Sequence, residues 1–218
     1  MQARRQTEGP HLLMPVLLLL FPVCGRAAPG GDGAPARESG LNARAAYGYG
    51  PFEQAEESRL ESIGEYRGSG RIIKLSGQAA QSFREMQAAA LRDGVMIIPI
   101  SGFRDHERQR TLFRGAVKKH GSKRRAARWV APPGFSHHEA GLAIDLGDES
   151  MPKCDGRACF RKTPAYKWLR KNGARFRFEL NGARRRPKVK PHEPWHWRYF
   201  PAEETDKASA GDDPERSD

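Results

Sequence analysis

The sequence predicts an α+β domain in which a small antiparallel or mixed sheet is flanked by helices. Segments with the apolar spacing of helices fall between short apolar segments of differing length. The last two strand candidates follow each other without a helix between them, as in a hairpin. Ten Phe, five Tyr and four Trp in 218 residues supply enough apolar surface for a packed core. This order of elements is typical of the α+β class.

Five segments are typical of strands, and three have the 3.6-residue periodicity of helices. The strand candidates are residues 71–75, 95–100, 142–146, 176–180 and 195–200. We expect one helix between Ser76, its cap, and Gly94, its end, and two more at 105–119 and 163–172, the last ended by Gly173. The side chains expected to face inward from the first two helices are Ala79, Phe83, Met86, Ala90, Leu91, Leu112, Phe113 and Ala116.

The amino terminus has the pattern of a secretory signal peptide. Two arginines precede a twelve-residue apolar run at 12–23, and small residues favour cleavage after Ala27. A buried hydrophobic helix is the alternative for this run. Lipoprotein processing at Cys24 is a second route to export, which the bulky residues 21–23 disfavour. We therefore expect an exported protein of the periplasm or cell envelope, without a transmembrane span in the mature chain.

Composition divides the chain into four parts. The signal peptide at 1–27 is followed by residues 28–70, which are rich in Gly, Ala, Pro and Glu and are expected to form a linker or a loosely packed arm. Residues 71–200 are expected to form the folded, catalytic domain. The acidic tail at 201–218 is expected to be disordered.

Charge and cysteine content limit the possible partners and structures. The chain has 38 Lys and Arg against 26 Asp and Glu, a net charge of +12, which favours anionic partners. The three cysteines lack the CxxC spacing of a structural zinc site and are too few for a disulfide scaffold. In an oxidising compartment Cys154 and Cys159 are expected to form one disulfide, with two free thiols as the alternative. No apolar run reaches the roughly 20 residues of a membrane span, which excludes a multi-span membrane protein.

Residues 136–146 bring a histidine and a carboxylate together. Alternation along a strand puts Ile144 and its apolar neighbours on the core face and Asp145 on the opposite face. Gly141 lets the chain turn tightly, so that His138 can return beside Asp145. The alternative is that the histidine is an ordinary surface or capped residue.

A second segment, residues 192–200, carries His196 between large aromatic side chains. Pro194 is incompatible with a helix interior, which excludes the helical HExxH site of other zinc peptidases. A turn at Pro194 can place Glu193 beside His196. Two histidines and one aspartate suit a tetrahedral zinc site with a fourth position for water, and Glu193 would then act as a base from outside the ligand set. The neighbouring aromatic residues are expected to be wall and core: Trp195, Trp197 and Tyr199.

Four linked motifs resemble those of the VanY-type zinc D,D-carboxypeptidases, the family that trims bacterial peptidoglycan stem peptides. The motifs are residues 101–104 with Gln109, then 136–145, 166–169 and 193–199. The resemblance implies the small α+β fold shared with D,D-dipeptidases and hedgehog-like domains. Two positions beside the motif arginine depart from the usual SGYRS pattern, because Phe103 and Asp105 replace Tyr and Ser.

The resemblance also implies a role for each motif residue. It implies Zn²⁺ bound by His138, Asp145 and His196. It implies Glu193 as the catalytic acid and base, and Arg104 as the residue that faces the scissile carbonyl. It makes two further residues candidates for substrate binding: Gln109 and Ser136.

Alternatives to this function remain at the level of the sequence. Arg104 could instead form an ion pair with Asp105 or Glu107. The same site could serve an endopeptidase, and a wall-binding module with zinc but no turnover would have no need of Glu193. The basic runs at 118–125 and 184–190 could bind nucleic acid. Because export is expected, we expect peptidoglycan stem peptides as partners and no nucleic acid.

Overall fold

Two antiparallel sheets and four α-helices make up the described part of a computed structural model, residues 51–180 and 193–202. The elements are β1 (Leu60–Glu65), β2 (Ile72–Ser76), α1 (Gly77–Arg92), β3 (Ile97–Ser101), α2 (His106–His120), α3 (Lys123–Ala126), β4 (Ala143–Asp148), α4 (Pro164–Asn172), β5 (Phe178–Leu180) and β6 (His196–Tyr199). The main sheet has the order β3-β4-β6-β5, and β1 pairs with β2 in a separate ribbon. The predicted α+β class is confirmed, and the sheet is antiparallel.

Strand β4 lies inside the main sheet, between β3 and β6. All six of its residues are buried. Ile144 and Leu146 belong to the main hydrophobic core, whereas Asp145 lies on the other face, as the alternation predicts. Asp145 is directly opposite His196 on β6 and Ser101 on β3. The sheet therefore brings three segments distant in sequence to one place.

Helix α1 covers the core face of the sheet. Phe83 and Met86 are fully buried, and full burial of such a side chain stabilises the fold by about 1.5–3 kcal/mol. The prediction that Leu91 faces inward is wrong, because this side chain is 59% exposed and Ala90 takes the inward position. Ser76 stands at the N-cap position, but its hydroxyl makes no capping hydrogen bond.

Helix α2 begins one residue later than predicted because Asp105 is its cap. The Asp105 carboxylate accepts a hydrogen bond from the backbone N–H of Arg108 at 2.6 Å. Gly121 ends the helix in the left-handed conformation. The short helix α3, which the sequence analysis did not predict, completes a second small core with Phe113, Ala116, Ala126 and Ala127.

Two segments differ from their sequence-based assignments. Strand β1 lies within the expected linker or arm, where Ile63 is buried and the strand pairs with β2. Strand β5 begins at Phe178 because Gly173 continues into a 3₁₀ turn at Gly173–Phe176. The expected disulfide between Cys154 and Cys159 is confirmed.

Several predictions concern residues outside the described part of the chain. They are the signal peptide at 1–27 with Cys24, the basic run at 184–190, and all but the first two residues of the acidic tail. Within residues 51–180 and 193–202, none of the helices combines the length and apolar character that crossing a membrane would require.

Candidate metal centre

The candidate centre is built from one loop and two neighbouring strands. Asp145 lies on β4 and His196 is the first residue of β6, and their pairing in the sheet register sets both side chains on the same face. His138 reaches them from the loop before β4. His138 and His196 are buried, and Asp145 is 8% exposed. Two of the three groups therefore lie side by side on neighbouring strands of the sheet.

Gly141 allows the loop to turn back toward the sheet. Its φ is +66°, a conformation that glycine adopts readily, and a Cβ here would lie only 2.8 Å from the Ser76 nitrogen. The Ser76 N–H donates to the Gly141 carbonyl at 3.0 Å, and the Gly141 N–H donates to the His138 carbonyl at 3.2 Å. The tight turn predicted at Gly141 is confirmed, and it brings His138 beside Asp145.

The three side chains have the spacing of a tetrahedral metal site. His138 Nε2 lies 3.2 Å from His196 Nδ1 and 3.5 Å from Asp145 Oδ1. His196 Nδ1 lies 3.0 Å from the same aspartate oxygen. Zinc bonds of roughly 2.0–2.1 Å at tetrahedral angles separate neighbouring ligand atoms by about 3.3 Å, so these distances fit that ion. Among the described residues, this trio is the one cluster of its kind.

Hydrogen bonding prepares His138 to act as a ligand. Its Nδ1 lies 2.7 Å from the Gly102 carbonyl oxygen, which can only accept, so Nδ1 carries the proton and the lone pair is on Nε2. Burial, followed by the charge of Arg104, lowers the pKa of His138, and the imidazole is neutral at neutral pH. The free lone pair therefore points toward Asp145 and His196.

The Asp145 carboxylate is held in its charged form. Burial by itself raises the pKa of this carboxyl, but its contacts with His138, Arg104 and His196 outweigh burial and hold the pKa well below its usual range. A neutral imidazole and an ionised carboxylate are the protonation states that metal binding needs.

Arg104 is an ion-pair partner of Asp145 rather than of an acid at the start of α2. Its Nη2 contacts the second carboxylate oxygen of Asp145, and its Nε donates to the Ser101 hydroxyl at 3.0 Å. The alternative pairing with Asp105 or Glu107 is wrong: Asp105 caps α2, and Glu107 pairs with Arg110.

A cavity of about 590 Å³ joins the centre to the rest of the predicted site. All seven residues singled out from the sequence line it: Arg104, Gln109, Ser136, His138, Asp145, Glu193 and His196. The Glu193 carbonyl accepts from the His196 N–H at 3.1 Å, which closes the predicted turn at Pro194. Trp195 forms part of the cavity wall, and Trp197 and Tyr199 are core residues, as predicted.

Gln109 and Ser136 present polar atoms beside the centre. The Gln109 side chain is buried, and its Nε2 donates to the Ala131 carbonyl at 2.7 Å. Its Oε1 has no hydrogen-bond partner among the described residues. The Ser136 hydroxyl accepts from the His138 N–H at 3.3 Å. An unpartnered buried carbonyl that borders a cavity is a ready acceptor for a ligand N–H.

Sequence reasoning missed Glu139, which lies within the histidine motif. Its side chain is fully buried and accepts hydrogen bonds from the backbone of Gly134 and Ser136. The signal that could have identified it is its position between His138 and the small residues Ala140 and Gly141, inside the motif that turns back toward the sheet.

A family model described as VanY, D-alanyl-D-alanine carboxypeptidase, matches residues 72–202. This segment is more than half of the chain. The chain belongs to the VanY family. Its fold is accordingly that of the VanY peptidases, and the family is one of hydrolases.

A curated relative supports this membership. A D-alanyl-D-alanine carboxypeptidase of Enterococcus faecalis is 33% identical over 133 residues, which cover 55% of this chain and 46% of that protein. The chain spans about half the length of the curated relatives it matches.

Two solved structures share the fold. The LD-carboxypeptidase LdcB has a TM-score of 0.61 at 28% identity, covering 72% of this chain and 75% of that one. A vancomycin-resistance D,D-pentapeptidase VanY in complex with Zn(II) has a TM-score of 0.53 at 26% identity, covering 74% and 89%.

Proposed function

We propose that this protein is a zinc-dependent peptidase that hydrolyses the terminal D-Ala-D-Ala amide of peptidoglycan stem peptides. The observation that carries the proposal is the spacing of 3.0–3.5 Å among His138 Nε2, Asp145 Oδ1 and His196 Nδ1. That spacing suits zinc, and the cavity beside it contains a carboxylate and an arginine. The D-alanyl-D-alanine carboxypeptidase name of the Enterococcus faecalis relative supports the choice of substrate.

Two residues of the cavity, Glu193 and Arg104, have chemical roles in this proposal. When bound, zinc supplies a Lewis acid that polarises the scissile carbonyl and an activated water for the attack. Glu193 takes the proton from the attacking water and returns it to the leaving amine. Arg104 stabilises the negative charge that develops on the carbonyl oxygen, while its contact with Asp145 keeps that ligand ionised.

Gln109 and Ser136 are proposed to hold the substrate. The unpartnered Oε1 of Gln109 can accept a hydrogen bond from a substrate N–H group. The Ser136 hydroxyl already accepts from the His138 N–H and retains its own proton for donation to a substrate oxygen. Both groups lie in the wall of the same cavity.

The protein is further proposed to act at the cell envelope. The signal-like pattern at 1–27 and the Cys154–Cys159 disulfide, a bond typical of oxidising compartments, both favour export. Cell fractionation combined with the mass of the mature amino terminus tests this; an unprocessed cytoplasmic protein would contradict it.

The LdcB neighbour favours a second candidate, the hydrolysis of an L,D amide bond by the same site. The reaction could also be endopeptidic, on crosslinked stem peptides. These candidates differ in the bond that is cut and share the metal centre.

Mass spectrometry of defined peptides tests the proposal. Purified pentapeptide ending in D-Ala-D-Ala should lose one alanine, the loss should stop with a strong chelator, and added zinc should restore it. Tetrapeptide and crosslinked dimer in parallel reactions report the L,D and endopeptidase candidates. Full turnover of the pentapeptide by a demonstrably metal-free protein would contradict the mechanism, and stable zinc binding without cleavage of any peptide would favour a binding module.

A further inference from the structure

Glu139 is a fully buried carboxylate that the proposed chemistry does not use. It follows the candidate ligand His138 directly in the sequence, and it does not line the cavity. A buried charge is costly unless hydrogen bonds or an opposite charge compensate it. The groups around Glu139 must therefore supply this compensation.

Three donors surround the Glu139 carboxylate. The Gly134 N–H lies 2.9 Å and 3.0 Å from its two oxygens, and the Ser136 N–H lies 3.0 Å from Oε2. The third donor is Nδ1 of His106, in the first turn of α2. The loop from 134 to 139 thus wraps around the side chain of its own last residue, and His106 ties that side chain to α2.

The backbone of the same loop is tied to the segment before β1. The Ala55 N–H donates to the Glu139 carbonyl at 2.8 Å, and the Phe52 N–H donates to the Gly134 carbonyl at 2.8 Å. These anchoring residues precede the part of the chain that the family model matches, which begins at residue 72. Backbone hydrogen bonds therefore anchor the loop at both of its ends, Gly134 and Glu139.

The loop carries two groups that face the cavity. The His138 N–H donates to the Ser136 hydroxyl at 3.3 Å, and the His138 carbonyl accepts from the Arg104 N–H at 3.1 Å. The Ser136 N–H in turn donates to Glu139. A change in the path of the loop would therefore shift Ser136 and the imidazole of His138 together.

We propose that Glu139 is a positioning residue, which holds the loop of residues 134–139 so that His138 and Ser136 face the cavity in a fixed geometry. His106 is its partner on α2. The role rests on the proposed metal centre, and Glu139 acts through His138 without touching the metal. Partners of this indirect kind typically change metal affinity by 10- to 100-fold when they are lost.

Asp148 provides a matched control for a merely structural role. It is also a buried carboxylate, 2% exposed, and it too accepts backbone N–H groups, from Ser150 at 2.9 Å and Ala165 at 2.7 Å. It does not line the cavity, and its contact with Ala165 is with the first turn of α4 instead. Loss of its charge should reduce stability without reaching the centre.

The test compares Glu139→Gln with Asp148→Asn in the full chain. Glutamine keeps the shape but turns one acceptor into a donor, which then faces N–H groups. Thermal unfolding, zinc affinity by competition with a chromophoric chelator, and the visible spectrum of the Co²⁺-loaded protein are measured. We expect both variants to melt at lower temperature, and Glu139→Gln alone to bind zinc at least 10-fold more weakly with an altered Co²⁺ spectrum.

A second pair of variants serves if Glu139→Gln does not fold. His106 has a side chain 44% exposed, so His106→Ala should fold, and it removes one donor from the carboxylate. We expect weaker zinc binding in His106→Ala and recovery in His106→Asn, whose amide can donate again. Wild-type zinc affinity and Co²⁺ spectrum in Glu139→Gln, or in His106→Ala, would overturn the proposal. A wild-type protein that binds no zinc would instead overturn the proposed function itself.

Discussion

Replacing Gly102 with alanine should damage both the fold and the metal centre. The Gly102 carbonyl accepts the Nδ1 proton of His138 at 2.7 Å. A Cβ at this position would lie 2.2 Å from the Lys74 carbonyl oxygen, which is itself engaged by the Phe103 N–H at 2.7 Å. The obstacle is backbone in a paired ribbon, so it cannot rotate away as a side chain would.

The size of the effect follows from the required displacement. Ordinary contact begins at 3.4 Å, and the two atoms must therefore separate by about 1.2 Å. Overpacking costs about 1–3 kcal/mol, and a rigid backbone neighbour puts Gly102→Ala near the upper end. For a chain of this size, about 3 kcal/mol lowers the Tm by roughly 6–12 °C. Displacement of the carbonyl that orients His138 should also weaken zinc binding by about 10- to 100-fold.

The assay is thermal unfolding by circular dichroism together with a zinc competition titration. Gly115→Ala is the control, because Gly115 lies in α2 and, apart from its chain neighbours and the backbone of its own helix, no atom lies within 4 Å of the position of a new Cβ. That change should raise stability by up to about 1 kcal/mol and leave zinc affinity unchanged. If Gly102→Ala melts and binds zinc like the wild type, the close approach to Lys74 does not constrain the centre, and the reasoning is refuted.

Three further predictions concern the proposed base, pH and the disulfide. Glu193→Gln should retain zinc but hydrolyse peptide about 10²- to 10⁴-fold more slowly, whereas His196→Ala should lose the metal. Metal analysis and peptide mass spectrometry check both expectations. Near-wild-type turnover by Glu193→Gln would exclude Glu193 as the base. Folding lowers the pKa of buried His138 below its ordinary value of 6.5. As the pH drops from 7 to 5, the unfolded chain therefore binds a proton at this residue more readily than the folded chain does, and the Tm of chelator-treated protein should fall. A Tm that rises over this range would contradict that sign. Replacing Cys154 and Cys159 by serine should cost about 2 kcal/mol, from the entropy of a short loop, and an unchanged Tm would show that the bridge contributes nothing.

Local geometry explains which parts of the site were predictable. Side chains alternate along any strand, so the placement of Ile144 in the core and Asp145 opposite it follows from the sequence pattern alone. The turn at Gly141 depends on the freedom of one residue, which is equally local. The seven residues singled out from the sequence all line the cavity, and the motifs that contain them identify the family.

Elements that depend on distant partners were not predictable in this way. Strand β1 is mostly polar, and one of its six residues, Ile63, is buried, so its pairing with β2 leaves little trace in its composition. Leu91 fits an apolar helical pattern but lies beside the face that Ala90 buries. Arg104 has acids close by in the sequence, yet its partner is Asp145, 41 residues away.

The sequence by itself determined the class of fold, the residue types of the candidate metal centre and the family, because these depend on residue identity and on short-range backbone geometry. The tertiary structure decided how the groups meet. Antiparallel pairing of β4 with β6 sets Asp145 opposite His196, and the returning loop adds His138. The structure also decided that Glu139 is buried, because its donors come from its own loop and from His106 on α2, 33 residues away. Hydrogen bonds between distant segments exist only after the chain has folded, and no local pattern encodes them.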